Sequence, residues 1–324
     1  SAPLHPRVLR ELKRLEECYH ILDIAAERIW PGWTNYRDVP LLFEFENGLR
    51  LLIGHPNPPK VFKRLENVFV SRNAVWADRE YGRPMEWPQP LEAGGGIITY
   101  GSSQGKGVSV IHMRFKRKYH RIPLIRGRFK SERRILALIH ELFHGFQIKG
   151  LKVPAGNLHF NPDVHFAVYS EIEGRALLKA FREMEIDLVK DAIKDFLLAR
   201  EIKRQSLSAL LRRHESADEF REGTAVFAEM RTLEILKQGF EPALNPREDP
   251  YYEGFSDIEA LSTEYLDRLK RSSHEVYDSR IKCYDYGCFQ ALLLRSIDPD
   301  WQRSFLDGSR MLDKELEKRF PLSE

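Results

Sequence analysis

Cysteine is scarce. Cys18, Cys283 and Cys288 are the only ones in 324 residues, too few for a disulfide framework, so stability must come from a buried core. The step from Cys283 to Cys288 is wrong for a CxxC metal hook, and all three read as core or helix-surface thiols. Long apolar runs are missing too, and none approaches the length of a membrane span. Neither sign of charge dominates: 51 Lys and Arg against 48 Asp and Glu leave a net +3, too little by itself to imply a polyanionic partner. There is no solenoid-type repeat and no low-complexity segment. With 42% hydrophobic and 31% charged residues, the composition is that of a folded globular chain. The chain opens Ser1-Ala2-Pro3-Leu4 without Met; read as a processed terminus, that favours a secreted or periplasmic location.

The pattern along the chain changes once. Residues 6–29 carry Val8, Leu9, Leu12, Leu15, Tyr19, Leu22 and Ala26 at helical spacing, and Pro31-Gly32 ends the run. Leu41 to Glu46, Asn47-Gly48 and Leu49 to Ile53 predict a hairpin on a type I′ turn. Asn67 to Ser71, Gly96 to Tyr100 and Val108 to Phe115 read as further strands. After Lys130 the pattern is almost wholly helical, with helices expected over 131–149, 164–186, 188–205, 216–238, 256–274 and 280–296. An N-terminal helix plus β-rich part (1–130) followed by a helical part (131–324) predicts an α+β fold, with an antiparallel-leaning sheet and one compact unit overall.

The helical part begins with the most informative stretch, His140-Glu141-Leu142-Phe143-His144. Histidines at i and i+4 project from one helical face and can share a metal ion. Glu141, one residue round, can hold and deprotonate a water that zinc acidifies. Arg134 to Ile139 is strongly helix-forming, with Ser131 as the expected N-cap. A catalytic zinc needs a third protein ligand and one position for water. No histidine stands six residues after His144, which excludes the HExxHxxGxxH pattern. Two similar segments offer a glutamate instead: Glu171-Ile172-Glu173-Gly174 and Arg221-Glu222-Gly223-Thr224-Ala225-Val226-Phe227-Ala228-Glu229.

HELFH followed by EGTAVFAE resembles the gluzincin metallopeptidases, in which HExxH is followed by an NEGFAxYxE-like helix whose first Glu binds zinc. The resemblance is confined to these two segments. It implies a zincin-like fold, Zn2+ as cofactor, and His140, His144 and Glu222 as ligands, with Ala225, Phe227 and Glu229 at matching places. The interval from His144 to Glu222 exceeds the family's; Glu173 fits the interval better but lacks the aromatic. Whichever glutamate is not the ligand would orient one of the histidines.

Tyr286, beside Gly287, is the expected oxyanion donor, since a late Tyr serves this role in many gluzincins; His165 and His214 are alternatives. Arg200 and Arg204, on one helical face, would bind a substrate carboxylate or neutralise clustered acids. Gly94-Gly95-Gly96 leads into a strand whose edge could pair with a substrate peptide, but the family's exopeptidase sequence is replaced by Ile97-Ile98-Thr99. The basic run from Arg114 to Arg134 reads as a solvated strand end and loop rather than a nucleic-acid surface. The expected activity is thus a zinc-dependent hydrolase of peptide bonds, its partner a peptide or protein. Another amide or ester as substrate, or a silent zincin-fold binding protein, are the alternatives.

Overall fold

A computed structural model describes residues 4–45, 48–78, 96–100, 108–115, 130–151, 163–183, 185–272, 279–306 and 311–322. The chain divides into two units, Ser1–Phe146 with Glu234–Ser256, and Gln147–Leu233 with Asp257–Glu324. The division falls at the end of the motif helix, one helix later than the change of pattern in the sequence.

The first unit is built on a sheet. Helix α1 (Pro6–Ile29) starts on His5, whose ring accepts from the Arg7 amide, with Pro6 at the first helical position. It ends where Gly32 turns the chain with φ +84°. Six strands follow: β1 (Leu41–Phe45), β2 (Arg50–Ile53), β3 (Phe62–Val70), β4 (Asn73–Asp78), β5 (Gly96–Tyr100) and β6 (Val108–Phe115), in the order β3-β4-β2-β1-β6-β5. β1 and β2 form the expected hairpin, in register Leu41↔Ile53 to Glu44↔Arg50; Asn47, which specifies its turn, lies outside the described residues. β4 was not expected from the sequence. It follows β3 through Ser71-Arg72, both at positive φ (48° and 77°). That conformation normally calls for Gly or Asn, so the sequence carries no turn signal there. Among the described residues the pairings are antiparallel except β1 with β6, where Leu41↔Ile111 runs to Phe45↔Phe115. The chain returns to β1's free side only after making β2 to β5, and arrives in the same direction.

Alternation along β1 and β6 gives the sheet two buried faces. Phe43, Phe45 and Phe115 meet on one, with ring centroids 5.0 and 4.9 Å apart. Leu42, Leu52, Phe62 and Val110 form a core on the other. Helix α2 (Lys130–Phe146) packs on β5, β6 and α1. Trp30 and Trp33 clasp Phe143 of α2 at 5.4 and 5.0 Å. Ser131 lies inside α2 rather than capping it, and its hydroxyl donates to Asp249 at 2.8 Å. Asp249 also takes Arg14 of α1, Nε to Oδ2 at 2.6 Å, so one buried carboxylate ties both helices to the returning segment.

The second unit is helical: α3 (Val164–Arg182), α4 (Ile186–Arg204), α5 (Ala209–Asp218), α6 (Thr224–Leu236, its last residues in the first unit), α7 (Ile258–Ser272), α8 (Ser279–Ile297) and α9 (Leu312–Arg319). The single helix expected over 216–238 is two, α5 and α6, joined by a π turn at Glu219–Gly223. A second π turn, Gln147–Leu151, continues α2. The first π turn crosses α8 at backbone contact. A Cβ on Gly223 would lie 2.3 Å from Gly287 Cα, and one on Gly287 would lie 2.0 Å from the Glu219 carbonyl oxygen. No side chain fits between them. Gly287→Ala should therefore destabilise the protein by roughly 3 kcal/mol or more, the cost of forcing atoms into a filled core. Chemical denaturation within 1 kcal/mol of wild type would contradict this crossing.

Candidate metal centre

Within the first unit, α2 brings His140, Glu141 and His144 together as the spacing requires. The two imidazoles lie edge to face, 4.7 Å between centroids at 88°. Ile139, Leu142 and Phe143 on the same helix are fully buried, whereas His140, Glu141 and His144 keep 7–8% of their surface. The polar triplet therefore sits where a core helix reaches a surface. Gly145 follows because Val39 presses on α2 at that point: a Cβ there would lie 2.8 Å from a Val39 methyl.

Within the second unit, Glu222 stands on the π turn, nearly buried, with Arg221 Nε 3.0 Å from its Oε1. Arg221 also reaches Asp218 at 3.1 Å. Glu173, the alternative ligand, lies in α3 with no exposed surface. Its Oε1 accepts from Arg200 at 2.9 Å and its Oε2 is paired with Lys203. Both oxygens are committed to buried cations.

Arg200 and Arg204 lie buried on α4 in the second unit. Neither presents a free fork to a substrate. Arg200 grips Glu219 with two nitrogens, at 2.7 and 2.6 Å, besides its bond to Glu173. Arg204 binds Glu215 at 2.7 Å, Asp313 at 2.6 Å and Ser216 at 2.7 Å. Burial pushes the Glu215 carboxyl up, but Lys203, Arg204 and Arg200 outweigh it and bring it down to about 2. Asp313 is held well below the usual range in the same way, against its own burial, by Arg204 and Arg200. Clustered acids are neutralised here, which is the other role the sequence allowed.

Tyr286 is also occupied. Its ring is 1% exposed and its hydroxyl donates to the Ser170 carbonyl at 2.5 Å. Burial pushes that hydroxyl's pKa well up, with Glu173 and Glu219 adding to the effect. The geometry gives this ring a packing role between α8 and α3. His165 is exposed beside Tyr169, at 4.7 Å between rings, and His214 is half-buried on α5. Of the basic run, Lys116, Arg117, Lys118, Arg126 and Arg128 lie outside the described residues. Lys130 stacks on Tyr251, and Arg134 on Phe115. Gly94 and Gly95 also lie outside the described residues, while among the described residues β5 stands at the end of the sheet, paired with β6. No described helix is long and apolar enough to cross a membrane.

Sequence reasoning passed over Lys203, Glu219, Asp313, Gln147 and Thr224, which the structure makes central to the second unit. Their partners lie far off in sequence or in a different helix, and no motif marks them. Arg200→Met should cost about 3–5 kcal/mol in stability, because it leaves the buried Glu219 carboxylate without its described cationic partner and takes one of two from Glu173. Equilibrium denaturation checks it; a fully stable variant with weakened substrate affinity would restore the substrate-binding role.

No protein-family model, no curated protein and no solved structure matches this chain.

Proposed function

We propose that the protein is a zinc-dependent hydrolase of peptide bonds, of zincin-like design. The observation that carries the reading is the intact His140-Glu141-His144 triplet on one buried helix that opens to the surface at those three side chains. On the resemblance of HELFH and EGTAVFAE to the gluzincins, His140 and His144 would hold zinc through imidazole nitrogen and Glu222 through a carboxylate oxygen. This donor set fits a catalytic zinc, which takes three protein ligands and leaves one position for water. Glu222 is preferred to Glu173 because the latter would have to abandon Arg200 and Lys203.

When bound, zinc supplies Lewis-acid chemistry, acidifying water and polarising a carbonyl. The chain's own residues do the rest. Glu141 is not a ligand; its carboxylate takes the proton of the attacking water and passes it to the departing amine nitrogen. An extended substrate can add to the edge strand β5, whose one described sheet partner is β6 and on which α2 also packs. Backbone pairing of that kind selects a peptide over other amides and esters.

Two experiments test the reading. Protein purified without chelators should carry about one zinc, bound at roughly 2.0–2.1 Å through histidine nitrogen. Glu141→Gln should retain the metal but cleave a proteome-derived peptide pool at least about a hundredfold more slowly, as loss of a general base requires. Absence of zinc uptake on titration, or an unimpaired Glu141→Gln variant, would sink the proposal. For the third ligand, Glu222→Ala should lose most zinc affinity with little loss of stability. Glu173→Ala should do the reverse, losing about 3–5 kcal/mol of stability while keeping zinc. Opposite results in a chelator competition assay would assign the ligand to Glu173.

A further inference from the structure

A π turn is wider than an α-helical turn, and its carbonyls lose ideal helical partners. In the turn Glu219–Gly223 those carbonyls are met by two side chains. Gln147 donates one amide hydrogen to the Arg221 carbonyl at 2.7 Å and the other to the Thr224 hydroxyl at 2.7 Å. The Thr224 hydroxyl in turn donates to the Phe220 carbonyl at 2.6 Å. Phe220 and Arg221 immediately precede Glu222, so this relay grips the backbone next to that carboxylate. Gln147 and Thr224 have no exposed surface, and inside a protein such an amide is retained only when its donors are used. Gln147 comes three residues after His144 in the same helical run.

We infer that Gln147 and Thr224 are positioning residues for Glu222, fixing the rotation of the π turn so that this carboxylate is presented as a metal ligand. The inference rests on the proposed zinc site and adds the device that preorganises its third ligand. Neither residue touches metal or substrate. Their contribution is to spare the ligand the ordering it would otherwise undergo on binding. Gly223 and Gly287 limit how closely the turn approaches α8, but a backbone contact between glycines does not set rotation; the directional hydrogen bonds do.

The test is zinc affinity of the full chain, read with ZnCl2 against a chromophoric chelator, alongside the melting temperature of the zinc-free protein. Gln147→Leu and Thr224→Val should each weaken zinc binding about 10–100-fold, as loss of supporting groups around a metal site does. Thr224→Ser, which keeps the hydroxyl, should bind within about twofold of wild type. A purely structural role would lower the zinc-free melting temperature and leave the dissociation constant unmoved, and that result would overturn the inference. If Gln147→Leu does not fold, the near-isosteric Thr224→Val decides. Hydrogen exchange on the wild-type chain needs no variant: zinc should slow the amides of 147–151 and 219–224 together. Slowing confined to residues 140–144 would overturn the inference while leaving a zinc site in place. A wild-type chain that takes up no zinc would instead remove the proposed function itself.

Discussion

Backbone contact between Gly223 and Gly287 is the constraint on which the helical unit depends. Two helices whose side chains meet stay about 8–10 Å apart. Here the Glu219 carbonyl and the Gly287 Cα come so close that even a methyl group is excluded. Glycine inside a helix costs about 1 kcal/mol relative to alanine, and a π turn is rarer still in helical proteins. Both penalties fall on five residues, Glu219 to Gly223. Directional bonds converge on the same five. Arg200 binds Glu219 with both ends of its fork, Gln290 reaches Glu219 Oε2 at 2.8 Å, and Gln147 takes the Arg221 carbonyl. The local irregularity is thus held from α4, from α8 and from the π turn that ends the motif helix.

Buried charge plays a particular part in this arrangement. Arg200, Lys203 and Arg204 stand opposite Glu173, Glu215, Glu219 and Asp313, all nearly without exposed surface. Such networks gain little over a well-packed apolar core, because desolvation offsets most of the attraction. What they add is directionality. Apolar contacts let a helix slide or rotate by small amounts, whereas a bidentate guanidinium–carboxylate pair fixes both distance and plane. Asp249 does similar work in the sheet-bearing unit, drawing Arg14 and Ser131 onto one carboxylate. Burial pushes Asp249 up, yet its bonds to Arg14 hold it below the ordinary range. In both units an acid joins helices that are distant in sequence.

Legibility followed the range of the interactions. The helix at Pro6–Ile29, the β1–β2 hairpin and the motif helix were readable because their signals are local: period, Pro and Gly punctuation, and residue spacing. Three features were not. The turn at Ser71-Arg72 takes a conformation that its residues do not advertise, so β4 left no trace. The parallel pairing of β1 with β6 depends on the route of the intervening chain. The break at Glu219–Gly223 depends on Gly287, more than sixty residues away in sequence, and a window that reads 216–238 alone finds an unbroken helix. The clustering of Arg200 and Arg204 was also visible, but their saturation was not, since Asp313 sits near the chain's end. Tyr286 stands beside the very glycine that makes the crossing, and its ring serves the packing there.

The two Glu-Gly segments show how the environment, rather than the motif, decides chemistry. Read as letters, Glu173-Gly174 and Glu222-Gly223 are equivalent candidates for a metal ligand. Glu173 has no exposed surface, and each of its oxygens faces a cation that is itself buried. Turning it towards a metal would break two buried charge pairs at once, with Arg200 and with Lys203, before any bond to the metal is counted. Glu222 faces Arg221, whose side chain is a quarter exposed. Water can take over that guanidinium at little cost, since ion pairs near solvent are worth about 1 kcal/mol or less. Of the two carboxylates, Glu222 is the one whose described ion pair lies nearer solvent, and it sits on the segment whose backbone is fixed from three sides. A rigid backbone carrying a carboxylate near solvent is what the proposed ligand role asks for, and within the helical unit that combination stands at Glu222.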